Sequence, residues 1–312
     1  MAQYDVTFIL LPRFSMIALY GALEPLRIAN RFAGPVFSWR FISADGAPVS
    51  ASNDIPVSAA GALRDLGKPT MAVTMASYEP ERSISKPLLS TIRGLVKHGG
   101  ILAGIDTGPF VLASAGVLDG YRATCHWESF PGFSEQFPRI QSVQSLYEID
   151  RDRMTCAGGA AAIDMMLDWI GRLLGPRMAA TVADQLIHFR MPDGREQARV
   201  PARARHGTDD PRLLTVIAAM EEQSEDHLTV PQLAERAGIS ERHLERLFAT
   251  KLGERPAGFY RRLRLEKAER LLTYSAMPVR EVSVACGFSS LSDFSRAFRS
   301  LYGKPPTALR KR

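Results

Sequence analysis

The feature that most restricts the fold of this chain is a repeat near its carboxyl end. Leu233-Ala-Glu-Arg-Ala237-Gly238-Ile239-Ser240 returns about fifty residues later as Val282-Ser-Val-Ala-Cys286-Gly287-Phe288-Ser289. Leu244, Leu247, Phe248, Gly253 and Pro256 then match Phe294, Ala297, Phe298, Gly303 and Pro306, with one extra residue in the second turn. In each copy a helical stretch ends at a small residue followed by glycine, which tolerates the left-handed backbone of a tight interhelical turn. An apolar residue, Ile239 or Phe288, follows and plugs the angle between two helices. Ser240, and Ser289 or Ser290, stand where a second helix needs its cap. Thr229 with Gln232 is a capping-box pattern that starts the first helix of the first copy. Between the copies, Phe259–Thr273 predicts a long amphipathic helix that holds the two units at a fixed separation.

Two glycine-centred helix-turn-helix units imply two helices offered to a duplex, about one turn or ~34 Å apart. An all-helical domain whose repeat merely packs is the alternative, and charge weighs against it. Residues 227–312 hold 17 Lys and Arg against 8 Asp and Glu, a balance of +9; residues 1–226 balance at −3. Basic charge confined to one end of a chain is what a domain facing a polyanion requires.

This end of the chain resembles a known family. The strings AERAGISERHLERLF and ACGFSSLSDFSRAFRSLYGKPP make residues 212–312 similar to the DNA-binding domain of AraC/XylS regulators. By position, that resemblance implies base-reading roles for Arg242, Glu245 and Arg246 on the first recognition helix. On the second it implies Ser292, Asp293, Ser295 and Arg296. Arginine can grip guanine bidentately and glutamate can accept from cytosine. Arg246 and Arg296 would instead position the domain if they reach phosphate. Glu245 and Asp293 as plain solvated charges is the alternative.

The amino-terminal part reads differently. Asp5–Leu11, Ser38–Ser43, Met71–Ala76 and Gly100–Ile105 read as buried strands, with short strands at Ala123–Trp127, Val143–Ile149 and Met154–Ala157. Helical stretches fall at Met16–Phe32, Pro87–Lys97 and Ala160–Leu174, the last ended by Gly175 and Pro176. This alternation predicts an α/β fold, a mostly parallel sheet covered by helices, followed by the all-α double helix-turn-helix domain. Domains are expected at 1–190 and 212–312, joined by a Pro-, Gly- and charge-rich linker at 191–211.

The run ILAGIDTGPFVLASAG at 101–116 passes from strand through a sharp turn into helix, with Gly104 and Gly108 flanking Asp106. That is the pattern of a nucleophile elbow, where small neighbours leave one side chain standing on a strained backbone. With SMIALYGALEPLRIAN, ATCHW and TCAGGAAAIDMMLDWI, residues 1–190 resemble the ThiJ/PfpI, class I glutamine-amidotransferase-like superfamily. The two domains together are similar to the GlxA-type branch of AraC regulators. The enzymes of that superfamily carry cysteine at the elbow, and this chain carries Asp106. A carboxylate cannot do thiolate chemistry, so the expectation is a catalytically dead domain that is not an enzyme.

By position the resemblance also brings Glu24, Asp106, His126 and Trp127 together as an effector site. Neighbouring carboxylates with an aromatic face suit a small amine-bearing metabolite, betaine-like or basic-amino-acid-like. Asp106 as a mere cap for the following helix is the alternative. The expected protein is a cytoplasmic, homodimeric regulator of promoter DNA, an activator by family habit. The rival readings are an amidase or peptidase with a DNA-binding tail, and an architectural DNA-binder without effector. Cys125, Cys156 and Cys286 are too few and scattered for a disulfide framework or a paired-ligand zinc site, so neither cofactor nor metal is expected. No apolar run approaches the ~18 residues of a membrane span, and the start of the chain reads as a strand rather than a signal peptide.

Overall fold

The computed structural model describes residues 3–188, 206, 208–223, 228–275 and 277–311. Contacts divide the chain into two compact units, Met1–Ala198 and Arg199–Arg312. Of the expected linker at 191–211, all but 206 and 208–211 lie outside the described residues.

In the first unit, six strands form one sheet: β1 (Tyr4–Leu10), β2 (Phe37–Ile42), β5 (Met71–Ala76), β6 (Ile101–Asp106), β9 (Tyr147–Asp150) and β10 (Arg153–Cys156), in the order β2-β1-β5-β6-β10-β9. All neighbours run parallel except β9, which pairs antiparallel with β10. Alternation along β1 explains why both faces must be covered. Val6, Phe8 and Leu10 enter one core with α1 (Met16–Ala33), α5 (Ala161–Leu174) and α6 (Pro176–Leu186). Ile9 and Leu11 enter a second core with α2 (Lys86–Val96), α3 (Gly108–Ser114) and α4 (Phe130–Gln136). Both faces of β1 are therefore apolar, as a buried parallel strand demands. Two small ribbons, β3 (Val49–Ser50) with β4 (Pro56–Val57) and β7 (Arg122–Ala123) with β8 (Gln141–Ser142), lie outside the main sheet.

Some local readings shift. The strand expected at 123–127 shrinks to β7, and 124–127 leave regular structure to line the loop after it. The strand expected at 143–149 starts only at Tyr147. Gly175, at φ 89, does end α5, but Pro176 then opens α6 at once, because proline suits a first helical position.

The second unit is wholly helical where described: α7 (Pro211–Glu222), α8 (Val230–Arg236), α9 (Glu241–Leu252), α10 (Pro256–Tyr274), α11 (Val279–Ala285) and α12 (Leu291–Tyr302), with a short 3-10 turn at Pro306–Lys311. Gly238 and Gly287 take the left-handed conformation, at φ 65 and 69. Ser240 caps α9 by accepting from the His243 amide, and Ser290, rather than Ser289, caps α12 by accepting from Asp293. The Thr229–Gln232 capping box is present. Two cores result. Leu213, Ile217, Leu233, Leu244 and Phe248 form one; Val282, Phe288, Phe294 and Phe298 form the other. Helix α10 supplies Phe259, Tyr260 and Leu263 to the first and Leu265, Ala268, Leu271 and Leu272 to the second. Its apolar residues therefore spread around the helix instead of forming the single stripe expected from an amphipathic connector.

Candidate DNA interface and effector cleft

On α9 the buried Leu244, Leu247 and Phe248 hold the helix to its core, which leaves Arg242, Glu245 and Arg246 exposed on the other side. On α12 the same logic buries Phe294, Ala297 and Phe298 and exposes Ser292 and Arg296. Ser295 and Asp293 are half-buried. Asp293 pairs with Arg261 of α10 at 2.8 Å, so its carboxylate is engaged within the domain. Arg264 of α10 donates to the carbonyl of Gly287 at 2.8 Å and stacks 4.8 Å over the Phe288 ring, stapling the second interhelical turn to the shared helix. Sequence reading passed over Arg261 and Arg264, because their partners lie 32 and 23 residues away.

The elbow is built as the glycine pattern predicts. Asp106 ends β6 at φ 66, a left-handed backbone that costs a non-glycine residue on the order of 1–3 kcal/mol. The backbone around it is crowded. A Cβ on Gly108 would come within 2.2 Å of the Thr74 carbonyl, and one on Gly158 within 2.9 Å of the Asp106 Cβ. Asp106 is buried, 7% exposed, and its carboxyl is pushed up to about 7. Burial is the main cause and the charge of Glu128 adds to it, while hydrogen bonds from the Ser77 hydroxyl and the Thr107 amide oppose it. The first residue capping α3 is Thr107, whose side chain makes no cap bond.

His126 donates its backbone N–H to the Asp106 carbonyl at 2.9 Å, which fixes the loop carrying His126 and Trp127 beside the elbow. The two rings are 5.8 Å apart. Burial lowers the His126 pKa, against the pull of Glu128, whose carboxylate is 3.8 Å from Nδ1. Asp106, His126 and Trp127 thus gather with Glu128 and Ser77, two residues that no motif announced. Glu24 is differently engaged: it forms an ion pair with Arg27, one turn along α1, at 2.6 Å. The carboxylate acting on Asp106 is Glu128, three strands of reasoning away from any sequence pattern, since it stands in the irregular segment before α4. Cys125 and Cys156 are fully buried. Burial and the Asp106 charge raise the Cys125 thiol well above its ordinary range, and Cys156 is pushed up to about 12. Among the described residues no group of three or more His, Cys, Asp or Glu is placed to hold a metal ion, and no helix is long and apolar enough to cross a membrane.

The layered sheet with its strained elbow defines the first unit as a ThiJ/PfpI-like domain. A solved ThiJ/PfpI family protein from Pseudomonas syringae shares that fold, with a TM-score of 0.55 at 16% identity, over 76% of this chain and 90% of its own. A family profile described as a helix-turn-helix domain matches residues 233–312. The HTH-type transcriptional regulator CdhR of Pseudomonas aeruginosa is 44% identical over 303 residues, 97% of this chain and 90% of that protein. A solved AraC family transcriptional regulator from Pseudomonas putida is 29% identical with a TM-score of 0.54, covering 59% of this chain and 99% of its own. The chain belongs to the AraC/XylS family of DNA-binding transcriptional regulators, in its GlxA-type branch.

Proposed function

We propose that this protein is an effector-responsive activator that acts in the cytoplasm as a homodimer. Residues 1–190 sense a small amine-bearing metabolite, residues 191–211 link, and residues 212–312 read promoter DNA. Arg242, Glu245 and Arg246 on α9, with Ser292, Ser295 and Arg296 on α12, face the bases or phosphates of successive major-groove segments. Asp293 contributes less to base reading, because Arg261 already occupies its carboxylate. Effector binding changes promoter occupancy by favouring one of two states of the dimer.

The observation that carries the sensing role is the elbow itself. Its strained, buried position holds a carboxyl group in place of a nucleophile, with Glu128, His126 and Trp127 beside it. Ammonium and guanidinium groups suit an acidic, aromatic-edged site of this kind. The two nearby thiols are buried and hold their protons, which disfavours the amidase or peptidase reading. Footprinting of the full-length protein on genomic fragments, with and without a panel of amines, tests the reading. Protection that shifts with an amine in wild type and not in Asp106→Asn is expected. Footprints indifferent to every amine would favour an architectural DNA-binder, and rapid labelling of Cys125 in the native protein would revive the enzyme.

A further inference from the structure

One cationic side chain at the edge of this cleft lacks a partner. Arg13 sits in the turn leaving β1 at φ 63, its N–H bonded to the Ser50 carbonyl at 2.9 Å. Phe14 is tied on both sides, donating to Leu11 at 3.2 Å and accepting from Ser52 at 2.9 Å, so the turn is firmly held. The exposed guanidinium lies 5.2 Å over the ring of Tyr78 and makes no ion pair or hydrogen bond among the described residues. Every other feature of the turn is satisfied; the fork of donors is not. A guanidinium pre-oriented on an aromatic face is suited to a carboxylate.

Tyr78 directly follows Ser77, whose side chain bonds Asp106. Consecutive residues therefore touch both Arg13 and Asp106. Register places Leu10 beside Met75 and Met75 beside Ile105, so β1 and β6 flank β5, roughly 10 Å apart at the ordinary strand spacing. Connections from β1 lead to β2 on one side and on to β5 on the other, which makes the carboxyl end of β1 and β5 the switch point where open α/β sheets place their ligands. Three left-handed non-glycine residues, Arg13, Glu79 and Asp106, collect at this one edge. Helix α1 begins at Met16, three residues beyond Arg13, and its positive end favours an anion there too.

We propose that Arg13, backed by Tyr78, is the carboxylate anchor of the cleft, so that the effector is a small zwitterion. Its carboxylate docks on Arg13 and its cationic nitrogen lies toward Asp106, Glu128 and Trp127. This rests on the amine-sensing reading above and adds the second charge to it. Calorimetry of the full-length protein with three sets of compounds tests it: amino acids and betaines, their methyl esters, and the corresponding decarboxylated amines. Asparagine tolerates a left-handed backbone, so Arg13→Asn removes the guanidinium and keeps the turn; Arg13→Lys keeps the charge and loses the fork. Wild type is expected to bind a zwitterion roughly tenfold or more tighter than its ester, R13N to bind the two alike, and R13K to fall between. Equal binding of zwitterion and ester by wild type, or a preference that survives in R13N, overturns the anchor and leaves the amine reading standing. No binding in any of the three sets takes both down.

Discussion

A buried carboxyl at φ 66 has its protonation written into its stability. The unfolded chain gives Asp106 an ordinary aspartate pKa near ~3.9, and the fold raises it to about 7. The neutral acid is therefore the form the fold prefers. Its contribution is complete below the unfolded pKa and is lost as pH rises through about 7. Asp106→Asn keeps the shape of the neutral acid and cannot ionise. It is expected to melt above wild type at pH 8, by a margin on the order of 1–3 kcal/mol, and to converge with it as pH falls. A melting difference that ignores pH would show the carboxyl to be solvated. At the other end of the molecule, Arg246→Ala and Arg296→Ala are each expected to cost about 1–3 kcal/mol in binding a selected site if they read bases. If they touch phosphate, affinity falls alike for all sequences, and titration against salt tells the two apart.

Elements differ in how openly the sequence declares them. Gly238 and Gly287, Ser240, and the Thr229–Gln232 box are local devices, each complete within a few residues, and all appear where their spacing predicts. The elbow glycines are legible for the same reason. What the sequence hides is contact between distant segments. Gly158 presses on Asp106 from fifty residues away, Ser77 reaches it from the end of a neighbouring strand, and Arg261 takes up Asp293 across two helices. Glu24 misled for the converse reason: position along a family pattern does not reveal that Arg27, on the same helix, takes its charge. These elements can be probed singly. Ser290→Ala removes the cap of α12 and is expected to cost about 1 kcal/mol in chemical denaturation of the helical domain. Gly158→Ala must fit a Cβ 2.9 Å from Asp106 on a backbone at φ 92. It is expected to destabilise the first unit by about 1–3 kcal/mol, and a fully stable G158A protein would contradict the close approach.

Across the whole chain, charge is divided between the two units. A balance of +9 falls within residues 227–312, against −3 for the rest. Affinity for DNA is therefore expected to fall by orders of magnitude between ~50 and ~200 mM salt, with a log–log slope set by the phosphates neutralised, while effector affinity changes far less. Equal salt sensitivity of the two would mean that the basic end is not what meets the duplex.

Helix α10 lends one part of its length to each of the two helical cores. Neither reading head can then turn without carrying the other, and the interval between them is a property of the protein, indifferent to the operator. Promoters recognised by this chain must keep their two contact boxes in phase with that ruler: one inserted base pair rotates the far box by roughly a tenth of a turn and slides it along the axis. A substituted base weakens one contact, whereas an insertion misaligns every contact beyond it, so natural sites should tolerate drift in letters far better than drift in length.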